Sequence, residues 1–88
     1  MRETKFIVTC KDGLHARPAA KLSQFASQFP GRIDIIYENL QMTLKSIIGV
    51  MSLGIPEGAS FMIQVEGYHE DQVMEQVHHL LIEEGLIE

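Results

Sequence analysis

The sequence predicts an α+β fold: a four-stranded, mainly antiparallel sheet with three helices on one of its faces, in the order β-α-β-β-α-β-α. Three observations carry this. Apolar and polar residues alternate in four short runs, the period of a half-buried strand. Between and after those runs lie three segments whose apolar residues recur at helical spacing. Strands and helices that each have one apolar face are satisfied by two layers, and an antiparallel sheet can leave its other face wet.

The first strand is placed at residues 4–9, with Phe6 and Val8 on one side and Lys5, Ile7 and Thr9 on the other. Asp12-Gly13 breaks it. A helical stripe of Ala16, Ala19, Leu22, Ala26 and Phe29 follows. Pro18 falls in its first turn, where the missing N–H costs nothing, and Pro30-Gly31 stops it. Residues 32–37 set Ile33, Ile35 and Tyr37 on one face of a second strand. Glu38-Asn39 is a tight turn in which Asn can take the left-handed conformation. Leu40, Met42 and Leu44 alternate through a third strand. Ser46 then caps a two-turn helix, IIGVMSL, that Gly54 and Pro56 end. In the fourth strand, residues 60–66, Phe61, Ile63 and Val65 point inward. The last helix runs from about Glu70 to Glu84 on Val73, Met74, Val77, Leu80 and Leu81.

Eighty-eight residues, 45% hydrophobic and 22% charged, suit one small globular domain spanning 1–88. The N-terminus lacks the apolar core of a secretory signal, and no run approaches the roughly 18 residues of a membrane span, so no membrane insertion is expected. With a single cysteine, Cys10, no intrachain disulfide forms, and a reducing, cytoplasmic setting is expected. A net charge of −5 argues against direct nucleic-acid binding. The charge is uneven. Arg2, Lys5, Lys11, Arg17, Lys21 and Arg32 lie in the first 32 residues, while residues 66–88 hold acids and neither Lys nor Arg. One basic surface on an acidic protein suits an anionic ligand or an acidic partner.

The segment GLHARPAA concentrates the chemistry. Gly13 permits a tight bend, and His15 falls just before the first helical residue. Free amides and a partial positive charge at the helix start therefore face whatever His15 holds. Imidazole is substantially neutral, and so nucleophilic, near pH 7. Arg17 adds a guanidinium able to grip phosphate in a fork. Taken alone, a histidine at a helix start is more often a surface residue and a lone arginine more often a solvated charge. Ser46 is by itself a helix cap. In the second helix Val50 and Leu53 suffice for burial, which leaves Ile47, Ile48 and Met51 as a surplus apolar patch suited to docking. His78 and His79 diverge by about 100° on their helix and His69 sits at its start, so no metal site is expected, and no cofactor.

GLHARPAA, followed some thirty residues later by KSIIGVMSLG, closely resembles the two signature segments of the HPr family of phosphocarrier proteins. The resemblance covers essentially the whole chain, and the element order matches that family's open-faced β-sandwich. It implies a carrier of the bacterial sugar phosphotransferase system rather than a stand-alone catalyst. His15 would accept phosphoryl from enzyme I at Nδ1 and pass it to enzyme IIA domains, with Arg17 contacting the phosphoryl group. It also implies a partner surface from Ala20, Gln24 and Ser27 together with the second helix. By likeness to HPr proteins of Gram-positive type, Ser46 would be the regulatory site of an HPr kinase/phosphorylase, read in catabolite repression by a catabolite control regulator. Departures from the family pattern (Glu38-Asn39 where Asn-Gly is common, Thr43-Leu44, and Pro56) touch partner preference, not the phosphoryl site.

Two relatives of that family offer different readings. A regulatory paralogue, the catabolite repression HPr-like protein, acts as a phosphoserine partner of a transcriptional regulator, but that branch typically lacks the histidine kept here as His15. Nitrogen-branch phosphocarriers generally diverge from KSIIGVMSLG.

Overall fold

A computed structural model describes all 88 residues. The elements run β1 (Arg2–Ile7), α1 (Ala16–Ser27), β2 (Arg32–Tyr37), β3 (Leu40–Thr43), α2 (Ile47–Ser52), β4 (Ser60–Glu66) and α3 (Glu70–Glu83). The strands form one sheet in the order β1-β4-β2-β3, and every pairing is antiparallel. Register follows the alternation. Phe6 pairs with Phe61, Ile63 with Ile35 and Val65 with Ile33, so one face carries a continuous apolar layer. Ala19, Leu22 and Ala26 of α1, Val50 of α2, and Val73, Val77 and Leu81 of α3 close over that layer in one cluster of 21 buried residues. The result is an open-faced sandwich.

Several elements depart from expectation for identifiable reasons. The first strand spans residues 2–7 rather than 4–9. Val8 still donates to Ala59 O, but Thr9 and Cys10 donate instead to Leu86 O, so the chain leaves the sheet to pair with the C-terminal segment. That segment buries Leu86 and Ile87, which local pattern did not mark as core. Ala16 is exposed: the buried stripe of α1 begins two residues later, at Pro18 and Ala19. Phe29 lies beyond the end of α1, half-buried against the core. In the β2–β3 turn the left-handed residue is Glu38 (φ 56°), not Asn39.

The uncovered sheet face holds one buried carboxylate, Asp34, only 6% exposed. Arg32 Nε at 2.9 Å and Gln41 Nε2 at 2.7 Å both donate to its Oδ2, so a charge lies flat on the sheet without an orphaned oxygen. Glu70 opens α3. It accepts from Gly67 N–H at 3.1 Å and faces the N-terminal ammonium at 3.2 Å, and these hold its carboxyl below the usual range. A depressed carboxyl pKa stabilises the fold above its ordinary value and loses that contribution as pH falls through the lowered one.

Candidate functional site

His15 is the N-cap of α1, in extended backbone conformation (φ −97°), and no side chain caps the helix. Its position is set by the loop before it. Gly13 adopts φ +69°, and a Cβ there would lie 2.5 Å from Ile55 O. That same oxygen accepts from Leu14 N at 2.9 Å, so the loop hangs on Ile55, a core residue just past α2. Gly13 O in turn accepts from His15 N at 3.0 Å and faces Nδ1 at 3.0 Å. A carbonyl oxygen cannot donate, so in this rotamer Nδ1 carries a proton and, in the neutral ring, the lone pair is on Nε2.

The start of α1 offers Ala16 and Arg17 as free amides. Pro18 has none, and Ala19 N already donates to His15 O at 3.1 Å. No acidic residue of α1 itself lies in the first turn, so the helix sets no carboxylate of its own against a bound anion there. The Arg17 side chain is 81% exposed and its Nε lies 3.9 Å from Glu84 Oε1, at the end of α3. The structure therefore places Arg17 beside His15 in the chain but pairs it with Glu84. Composition marked residues 66–88 only as acidic, and nothing local singled out Glu84. His15 lines none of the five main clefts. It stands on an open surface that another protein can reach.

Ser46 caps α2 as expected, its Oγ accepting from Gly49 N at 3.0 Å. Two contacts missed by pattern reading tie it to α1. Ser23 Oγ donates to Lys45 O at 2.8 Å, and Lys45 Nζ donates to Phe29 O at 2.8 Å, just past the end of α1. Both residues look like ordinary surface polars in sequence; only the helix crossing gives them partners. The partner residues expected on α1, Ala20, Gln24 and Ser27, are all exposed. On α2, Val50 and Leu53 are buried, whereas Ile48 is 83% exposed and Ile47 and Met51 are each 43% exposed. Of the remaining histidines, His78 packs edge-on against Phe6 at 5.3 Å and His79 lies 4.0 Å from Glu83.

A family model described as "PTS HPr component phosphorylation site" matches residues 2–83. The chain belongs to the HPr family. It is thus a phosphocarrier-type protein of the phosphotransferase system. Among solved structures it is similar to the histidine-containing phosphocarrier protein of Mycoplasma, at 39% identity over 99% of both chains with a TM-score of 0.95. Similarity extends to phosphocarrier protein HPr of Bacillus anthracis, at 34% identity over 90% of this chain and 94% of that one, TM-score 0.81. The Bacillus subtilis catabolite repression protein Crh, a domain-swapped dimer, matches at 31% identity over 94% and 95%, TM-score 0.72. No helix of the structure is long and apolar enough to cross a membrane.

Proposed function

We propose that this protein accepts a phosphoryl group from enzyme I on His15 and delivers it to enzyme IIA domains, with Ser46 as a regulatory phosphorylation site. The observation that carries the reading is the setting of His15: a half-buried helix N-cap, two free amides, and no acidic residue in the first turn of α1. An anion at such a position gains only about 0.3–2 kcal/mol from the helix dipole. That scale suits a carrier, which must release what it accepts. The clefts lie elsewhere, which suits a site that is read by a partner's active centre.

In the forward transfer the Nδ1 lone pair attacks phosphorus, the N–P bond forms, and the bond from phosphorus to its atom on enzyme I breaks. Delivery to enzyme IIA reverses this at the His15 end. The ring must first give up the Nδ1 contact with Gly13 O, release the Nδ1 proton to solvent and take one up on Nε2. We therefore expect ¹⁵N shifts of His15 to report an Nδ1-protonated ring at rest and an Nε2-protonated ring once phosphorylated. An unchanged tautomer would rule out Nδ1 as the acceptor. On ring rotation Arg17 must exchange Glu84 for the phosphoryl oxygens. Arg17→Lys keeps the charge and loses the fork, and roughly tenfold slower transfer with unaltered melting is expected, since a charge-assisted hydrogen bond is worth about 1.5–3 kcal/mol.

Ser46 belongs to the same surface through α2. Phosphorylated by an HPr kinase/phosphorylase, it would offer about −1.5 to −2 charges beside Ile47, Ile48 and Met51 to a catabolite control regulator. The deciding experiment is incubation with enzyme I and phosphoenolpyruvate. Wild type should take up acid-labile phosphate and His15→Ala none, with near-native melting because the residue is only half-buried at a helix end. Full labelling of His15→Ala would overturn the reading.

A further inference from the structure

The largest cleft of the molecule, about 700 Å³, lies between α1 and α3, away from His15. Half-buried Phe25 and Leu80 line it as its apolar part, and Glu75, Gln76, His79 and Glu83 rise along α3. It runs into a second cleft of about 290 Å³ that shares Phe25 and Gln76 and adds Phe29 and Val73. Together they make a groove along the seam of two helices. Every ionisable group lining it is an acid or His79. Glu75 has no ion-pair partner, and Glu83 meets only His79, at 4.0 Å. From residue 66 to the end there is no Lys or Arg, and Arg2, which shares an adjoining cleft with Glu75, pairs with Asp71 at 3.5 Å.

We propose that this groove is a docking surface for a cationic amphipathic peptide segment of a partner protein. The apolar floor takes Leu- or Met-like anchors in the helix-in-groove mode, and the unpaired carboxylates select Lys or Arg beside them. Gln72 to Glu83 rises about 16 Å along α3, the length of three helical turns. Phe25 is displaced by about 100° around α1 from Gln24, so the groove and the α2-side surface are separate faces of one helix. A partner seated in the groove leaves His15, Ile48 and Met51 free. The proposal stands whether or not His15 is the phosphoryl site.

The test uses the full chain, ¹⁵N-labelled, titrated with a synthetic Lys/Leu peptide of about 14 residues, four helical turns. Two comparators replace Leu by Gln, or Lys by Glu. Amide shifts should move at Phe25, Gln76, His79, Leu80 and Glu83. The Gln peptide should bind at least about tenfold more weakly, and the Glu peptide should leave the spectrum unmoved. The double variant Glu75→Lys, Glu83→Lys should lose about tenfold or more in affinity while its melting and its phosphorylation by enzyme I stay as in wild type. Shifts confined to Ile47, Ile48 and Met51, equal affinity for the double variant, or no shifts at all up to millimolar peptide would each overturn the proposal.

Discussion

Ser46→Asp is expected to raise the apparent KM of enzyme I for this protein roughly 5- to 1000-fold while leaving the fold intact. The fold survives because Asp is as good an N-cap as Ser. Its carboxylate can still accept from Gly49 N, and the start of α2 has no other acid to repel it. If α2 and the His15 loop form one partner surface, as proposed, docking suffers because the new charge stands beside the exposed Ile47, Ile48 and Met51. Against an acidic docking face, each close like-charge pair costs on the order of 1–4 kcal/mol between water-like and surface dielectrics. At about 1.4 kcal/mol per tenfold, that spans the stated range. Added salt should recover part of the loss, since exposed charges are screened over about 8–10 Å. Steady-state kinetics with enzyme I at low and high ionic strength measure this. An unchanged KM at both would leave Ser46 as a helix cap with no bearing on His15.

The second large effect concerns Gly13. Gly13→Ala is expected to lose about 2–4 kcal/mol of stability and to slow phosphoryl uptake. A non-glycine residue at positive φ costs roughly 1–2 kcal/mol by itself. Here the added methyl would also press on Ile55 O at 2.5 Å and on Pro56 Cα at 3.1 Å, backbone atoms that cannot swing aside like a side chain. For a domain of this size the loss corresponds to a fall in Tm on the order of 10–30 °C. Gly58 supplies the control. It too has a positive φ, +86°, but a Cβ there meets nothing within 4 Å, so Gly58→Ala should show the conformational cost alone. If the two variants melt together, the close approach to Ile55 does not hold the His15 loop. If Gly13→Ala is also slow in uptake at temperatures where it is folded, the loop positions the imidazole as well as stabilising the chain.

These two positions show where a linear reading reaches and where it stops. Alternation and helical spacing located the four strands and the two long helices, and the short α2 was marked by its Ser46 cap and by Gly54 and Pro56 behind it. Ser46 as a cap, Pro18 in a first turn, and the surplus of Ile47, Ile48 and Met51 follow from local chemistry that needs no neighbour. His15 at a helix start was equally legible. The same reading could not mark Leu86 and Ile87 as core, since two apolar residues have no period. It put the first strand two residues late, because Val8 and Thr9 continue the alternation although Thr9 bonds to Leu86.

Everything that positions the site comes from residues distant in the chain. The link from Gly13 to Ile55, the Ser23 bond to Lys45, the Lys45 reach to Phe29 O and the Arg17–Glu84 pair each join segments that only packing brings together. The sequence by itself determined the element order, the helix start at His15 and the helix cap at Ser46, the two positions proposed to bear phosphate. The tertiary structure decided where the imidazole points, which carboxylate holds Arg17, and that an acidic, aromatic-floored groove opens between α1 and α3. The physical reason is one of range. Propensity, periodicity and capping act within a turn or two, whereas a hydrogen-bond partner or an ion pair is chosen by the crossing of elements whose separation in sequence carries no trace of their meeting.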